Sequence, residues 1–245
     1  MERMLEATAR AEERHFWFQA LRRNAARLLE AALAGRPAGW IVDCGAGTGR
    51  NLDWLARFGR PVGIELSPAG LAVGRARGRR MVRGSVAALP IADRSADVVT
   101  SFDVLYCLDD ATERQAVAEM VRVLKPGGVA VVNAAALDIL HGAHSALTHE
   151  QRRYTPARLT ALISGAGLTI ERLTFTNLAT FPLAVAVRTF DRLTGRAAQP
   201  SEADLTVPPL PVNVFFDGLL RVEGQILKIA NLPVGTSLLC VARKR

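Results

Sequence analysis

The sequence predicts an α/β protein built on a doubly wound, mostly parallel sheet, and three observations carry that expectation. Short apolar runs alternate with helical stretches along most of the chain, as strand–helix–strand units require. The first run, Ile41-Val-Asp-Cys44, passes into a glycine loop and a helix through Gly45-Ala-Gly-Thr-Gly-Arg50. A second run, Pro61-Val-Gly-Ile-Glu65, ends in a carboxylate about twenty residues on, where open α/β sheets place an acid for ribose hydroxyls. With 245 residues, 49% of them apolar, the chain is long enough to bury one such core.

Each element has its own signal. Residues from Ala11 to Leu33 read as one helix, with Leu21, Ala25, Leu28, Leu29 and Ala32 on a stripe. His15-Phe-Trp-Phe18 stands at its start, either stapling the helix to the sheet or forming part of a lid. Strands are expected at Trp40 to Cys44, Pro61 to Glu65, Arg80 to Arg83, Asp97 to Ser101 and Val129 to Ala134, and a helix at Asn51 to Phe58 packs Leu52 and Leu55. Thr155-Pro156 is a helix start, a capping hydroxyl before proline at the first helical position, and Gly165-Ala-Gly167 ends that helix. Leu168 to Phe175 and Thr236 to Arg243 give the last two strands.

Between those strands lies the stretch Thr176 to Gly235. Its flanks, Phe181 to Leu193 and Asn213 to Ile229, read as amphipathic helices joined by a polar, Pro-rich segment. Three roles stand open for them: packing on the core or a homodimer contact, a cap over a hydrophobic substrate, and docking on a membrane surface. Membrane contact is the least favoured.

The loop spacing narrows the ligand. A dinucleotide fingerprint needs G-x-G-x-x-G, and Arg50 stands where its third glycine belongs. What remains is D-x-G-x-G-x-G, followed in order by Gly84-Ser-Val-Ala-Ala-Leu-Pro90, Ala96-Asp-Val-Val-Thr-Ser-Phe-Asp-Val-Leu105 and Glu119-Met-Val-Arg-Val-Leu-Lys-Pro-Gly-Gly128. Over residues 39 to 175 this series resembles the class I methyltransferases that use S-adenosylmethionine (SAM).

The resemblance implies a Rossmann-like seven-stranded sheet whose last two strands pair as an antiparallel edge. It implies an N-terminal helical lid over 1–38, a SAM-binding core over 39–177, a helical insertion over 178–235 and a last core strand over 236–245. It implies SAM as donor and S-adenosylhomocysteine as product, with no metal. Asp43 would hold the loop or the methionine ammonium, Gly45 and Gly47 would line the methionine portion, and Glu65 would take the ribose. Ser85 stands where the family places an aspartate near the adenine. Ala46, Leu66, Val86, Ser101 and Phe102 complete the implied set. Relatives carry a stretch like His15 to Phe18 followed by paired arginines, which makes Trp17 a candidate wall and Arg22 a candidate partner for the methionine carboxylate.

Methyl transfer from a sulfonium is an in-line displacement, so the protein's work is positioning and, where the acceptor is a hydroxyl, taking its proton. Many relatives read L-E-H where Leu105-Tyr-Cys107 stands, so Tyr106 offers a phenol and a ring face in place of an imidazole. Three of the four histidines fall in Leu140 to Tyr154 after the fifth strand, at the carboxyl edge that borders the ligand crevice. This stretch is similar to a family pattern H-D-x-x-x-H-x-R-R-Y, matched by His144, His149, Arg152, Arg153 and Tyr154, with Ser145 in place of the acid. His144, His149 and Tyr154 are the catalytic candidates, a neutral histidine near pH 7 being able to accept a proton. A histidine bonded to backbone is the alternative, and no acidic partner pattern supports a metal site.

The formal charge of +8 raises a nucleic-acid reading. Its arginines are spread along the chain, however, and the densest cluster, Arg75-Ala-Arg-Gly-Arg-Arg80, falls in a turn. No Asn/Asp-Pro-Pro-aromatic motif follows the fourth strand. A nicotinamide dehydrogenase fails on the loop spacing and because Arg158, not lysine, stands four residues after Tyr154. A SAM-fold subunit without catalysis is the third rival. Three scattered cysteines, Cys44, Cys107 and Cys240, suggest neither disulfides nor a metal, and a cytoplasmic location is expected. The N-terminus lacks the apolar core of a secretory signal, and the longest apolar run, Leu178 to Val187, contains Pro182 and is too short to span a bilayer. The expected function is a cytoplasmic methyltransferase acting on a small, partly apolar molecule of secondary metabolism, without nucleic-acid partners; a nucleic-acid methyltransferase is the runner-up.

Overall fold

The computed structural model describes residues 8–141, 150–194 and 206–245. His144 and His149 lie outside the described residues. Seven strands, β1 (Trp40–Cys44), β2 (Arg60–Glu65), β3 (Met81–Arg83), β4 (Ala96–Phe102), β5 (Leu124–Ala135), β6 (Leu168–Thr176) and β7 (Ser237–Lys244), form one sheet in the order β3-β2-β1-β4-β5-β7-β6. Pairing is parallel from β3 through β5, and β7 runs antiparallel to both β5 and β6. The doubly wound class and the antiparallel edge are as expected.

Both faces of the sheet are covered, which is why its strands read as apolar runs rather than alternating ones. Ile41, Val98, Val129 and Val131 enter one cluster and Val42, Cys44, Val99, Ala130 and Val132 the other. The helices are α1 (Phe16–Leu33), α2 (Arg50–Leu55), α3 (Pro68–Ala76), α4 (Asp110–Val123), α5 (Pro156–Gly165), α6 (Phe181–Leu193) and α7 (Leu210–Ile226). Thr155 Oγ1 accepts the Arg158 N–H at 3.2 Å, the predicted cap of α5.

Two boundaries differ from expectation for visible reasons. The N-terminal helix does not run unbroken from Ala11: residues 8–11 form a helical turn, the chain breaks, and α1 starts after His15, whose Nδ1 accepts the Trp17 N–H at 3.2 Å. β5 begins at Leu124, directly after α4, so the strand includes Lys125-Pro-Gly-Gly128; its register with β4 shifts between Ala96 and Val98 to accommodate that stretch.

The stretch between β6 and β7 carries a short 3-10 turn (Leu178–Thr180), α6 and α7. α7 lies along α1 and is fastened by polar groups. Asn213 Oδ1 accepts the Phe16 N–H at 3.0 Å and its Nδ2 donates to the Arg14 carbonyl at 2.8 Å, so a residue 197 positions away serves the open N-terminus of α1. Arg23 donates to Asp217 at 2.6 Å, Phe16 and Phe216 stack with centroids 5.2 Å apart, and Glu223 accepts the Asn177 and Ala179 N–H groups at 2.6 and 3.2 Å.

The strand order reverses between β1 and β4, and the crevice outside the carboxyl ends of those two strands is where open α/β sheets bind ligands.

Candidate active site

A cavity of about 770 Å³ occupies that crevice. The glycine loop forms one side. Gly45 has φ +76° and a Cβ built there would collide with Val104, so only glycine lets the chain leave β1 in this direction. The Gly45 and Ala46 N–H groups donate to the Ile64 carbonyl at 2.9 and 3.0 Å, the Gly49 N–H to Ala46 at 2.8 Å, and the Gly47 N–H to Glu65 Oε2 at 2.7 Å. These donors are used within the protein rather than turned outward as an anion nest, in keeping with the mismatch at Arg50.

Of the predicted cofactor set, Gly45, Ala46, Gly47, Glu65, Leu66, Ser85, Val86, Phe102, Trp17 and Arg22 all line this cavity. Asp43 and Ser101 do not; both are 1% exposed and stand one layer behind it. Asp43 Oδ1 accepts from Thr100 Oγ1 at 2.6 Å, while Oδ2 has no hydrogen-bond partner among the described residues. Burial, reinforced by the charge on Glu65 and partly offset by the Thr100 hydroxyl, lifts its carboxyl to about 7. Asp43 is therefore tied to the neighbouring strand β4 and stays out of the cavity lining.

Glu65 closes β2 at the cavity, its Oε1 accepting the Ser67 N–H at 2.8 Å. Each oxygen keeps lone-pair capacity beyond its one backbone donor. The segment that carries Ser85 and Val86 is tied down at Leu89 to Ile91 by α4: Arg122 donates to the Leu89 and Ile91 carbonyls at 3.0 and 2.9 Å, and Glu119 accepts the Leu89 N–H at 2.7 Å. The N-terminal segment reaches over the loop through Glu12, whose carboxylate oxygens accept from Thr48 Oγ1 at 2.9 and 2.7 Å. Arg22 donates to the Glu12 carbonyl at 2.6 Å, and burial lowers its guanidinium to about 10. A half-buried cation whose closest partner is a neutral carbonyl is suited to an anionic ligand group.

Beside the loop, at the end of β4, the cavity has a polar floor, of which the sequence singled out Tyr106 and Arg153 but not Asp103 or Glu150. Asp103 follows β4 with φ +59°, a conformation that costs an L residue other than glycine and is tolerated by aspartate. Its N–H donates to the Asn133 carbonyl at 3.1 Å and its Oδ1 accepts from Asn133 Nδ2 at 2.9 Å. Burial pushes this carboxyl up to about 7 against the pull of Asn133 and Arg153. Tyr106, Glu150 and Arg153 line the same floor, with Glu150 and Arg153 paired at 2.6 Å; burial holds the Tyr106 phenol well above its ordinary value. The insertion adds a mainly apolar wall, Leu183, Ala184 and Val187 of α6 and Val212 and Phe216 of α7, with Arg188 of α6 beside it.

Tyr154 is a correction. It is fully buried in the core, does not line the cavity, and its hydroxyl donates to Glu113, so it cannot meet an acceptor there. Its neighbours serve the same local web: Arg152 donates to the Leu108 carbonyl at 2.6 Å and Arg158 to Glu113 at 3.0 Å. The Arg75–Arg80 cluster is likewise committed internally. Arg75 bonds the Met81 carbonyl, Arg79 bonds Asp53 and the Thr48 carbonyl, and Arg80 lies 5.2 Å from the Trp40 ring centroid. No group of three or more His, Cys, Asp or Glu placed to hold a metal occurs among the described residues.

Comparison with known proteins agrees with this geometry. Residues 42–132 match the methyltransferase domain family. A Mycolicibacterium smegmatis protein named as a probable S-adenosylmethionine-dependent methyltransferase is 36% identical over 165 residues, 65% of this chain and 62% of that protein. A demethylmenaquinone methyltransferase of Renibacterium salmoninarum is 37% identical over 110 residues, 43% of this chain and 45% of its own length. The chain thus spans less than two thirds of either relative. Among solved structures, a SAM-dependent methyltransferase of Thermotoga maritima superposes with a TM-score of 0.61 at 20% identity, covering 100% of this chain and 97% of that one. With the glycine loop, Glu65 and the reversal of strand order in their places, residues 42–132 carry a methyltransferase domain, and the chain is similar to SAM-dependent methyltransferases of class I.

Proposed function

We propose that this chain transfers the methyl group of SAM to a small, largely apolar acceptor carrying a nucleophilic O–H or N–H end. The observation that carries this reading is that one cavity joins the glycine-loop side, with Glu65 and Arg22, to a polar floor at Asp103 and an apolar wall from α6 and α7. The donor set fits SAM in its parts: Arg22 for the methionine carboxylate, Glu65 for the ribose hydroxyls, and Leu66, Val86 and Phe102 for the adenine. Asp43 bonds Thr100 behind the loop and does not line the cavity. SAM supplies an electrophilic methyl on sulfur; the protein must bring a nucleophile in line with it.

Asp103 is the group we assign to the acceptor. Fixed by Asn133 on a strained turn at the end of β4, it can accept a hydrogen bond from the acceptor's O–H or N–H and hold that group toward the loop. Tyr106 shapes the floor beside it. The N-terminal segment and the insertion act as one cap, because Asn213 and Asp217 of α7 fasten to the start and flank of α1. Calorimetric titration with SAM and with S-adenosylhomocysteine tests the reading: saturable binding of both is expected, and binding of neither would overturn it.

A further inference from the structure

Helix α7 carries apolar residues on two opposite sides, and the fold uses one. Leu220 is fully buried, and Phe216, Asp217 and Glu223 on that side make the contacts with α1 and residues 177–180 described above. On the other side Phe215, Leu219, Val222, Ile226 and, just past the helix, Ile229 recur at i, i+4, i+7, i+11 and i+14. They are 62%, 37%, 62%, 43% and 89% exposed. The solvent side of a surface helix ordinarily carries charge, and a contiguous apolar stripe in its place marks an interaction surface.

The borders of this stripe differ. Along one lie Arg221 and Lys228, both exposed, with the Arg27 guanidinium beside Gly224. The acids nearby are neutralised or withdrawn: Asp217 is bound by Arg23 and Arg221 at 2.6 and 2.7 Å, and Glu223 is 4% exposed and turned onto the Asn177 and Ala179 N–H groups. Along the other border stand Val212 and Phe216, which belong to the cavity wall. An apolar stripe with a net cationic edge complements an anionic interface. The same edge, on a chain of formal charge +8, opposes pairing with a second copy.

We propose that the outer face of α7 docks on an anionic lipid bilayer, setting the apolar wall of the cavity beside the membrane so that a lipid-borne acceptor can enter. The docking stands on the helix itself; the role of the acceptor rests on the methyltransferase reading.

Co-sedimentation of the full chain with vesicles tests it, comparing phosphatidylcholine containing phosphatidylglycerol with phosphatidylcholine alone. Binding to the anionic vesicles is expected, weakening as salt is added. Val222→Ser with Ile226→Ser should abolish it, and each of Arg221→Gln and Lys228→Gln should weaken it about fivefold at low ionic strength. None of these residues lines the cavity, so SAM affinity by calorimetry should be unchanged in every variant. Absence of binding to anionic vesicles would overturn the proposal, as would undiminished binding by the double serine variant. A stable dimer that the double variant dissociates would assign the face to a second copy and overturn it equally. Vesicle binding without SAM binding would support the docking while refuting the methyltransferase reading.

Discussion

The Gly47 N–H donates to Glu65 Oε2 at 2.7 Å, so the carboxylate that ends β2 holds the glycine loop that follows β1. The loop and the acid, which both line the cavity, are thereby fastened to each other. Preorganisation of this kind lowers the ordering cost of binding.

Asp103 gives the sharpest kinetic expectation. Asp103→Asn keeps the shape and the contact with Asn133 but removes the carboxylate. Turnover should fall on the order of a hundredfold, while SAM affinity stays within about twofold. Since only the ionised carboxylate can accept a proton and burial sets its midpoint at about 7, the wild-type rate should climb as pH rises through about 7 and level off above it. The variant should lose that rise. A pH–rate profile of both proteins checks this.

Tyr154 is expected to matter for stability alone. Tyr154→Phe removes a buried hydroxyl that donates to Glu113 and should cost about 1–2 kcal/mol in denaturant unfolding, with kcat and KM nearly unchanged. A large loss of kcat at unchanged stability would return Tyr154 to the chemistry.

The cap should loosen when its fastening is cut. Asn213→Ala removes the acceptor for the Phe16 N–H and the donor to Arg14, at a cost of about 1 kcal/mol. Faster hydrogen exchange should follow in the first turn of α1 and the first turn of α7 together. Exchange that rises in one alone would mean that the two do not move as a unit.

Asp43 predicts a pH dependence of stability with a definite sign. Its carboxyl sits at about 7 when folded against an ordinary value near 3.8, so the folded state binds the proton more tightly than the unfolded chain. Its contribution to stability is complete below the ordinary value and is lost as pH rises through about 7. Asp43→Asn should remove that loss and melt above the wild type at pH 8, as thermal denaturation across this range would show.

Much of the core was legible because parallel strands buried on both faces write themselves as apolar runs; Trp40–Cys44 falls as predicted, and β2 and β4 extend by one or two residues. The glycine loop was legible because Gly45 alone avoids Val104. The break before α1 was not. Ala11 to Arg14 favour a helix locally, and what interrupts it is tertiary: Glu12 turning to Thr48 and Asn213 holding Phe16 and Arg14. Asp103 was passed over because its importance lies in a positive φ and a bond to Asn133 on the neighbouring strand, neither of which a linear pattern displays. An acid at the carboxyl end of β4, beside the reversal of strand order, was the signal available. Tyr154 misled for the opposite reason: its place in a motif was visible and its burial against Glu113 was not.

The most direct test of the account is the SAM dissociation constant of Glu65→Ala against that of the wild type, measured by calorimetry on proteins shown to be folded. Loss of a charged acceptor that also holds Gly47 should weaken binding roughly tenfold to hundredfold. An unchanged dissociation constant would contradict the placement of the donor against this loop.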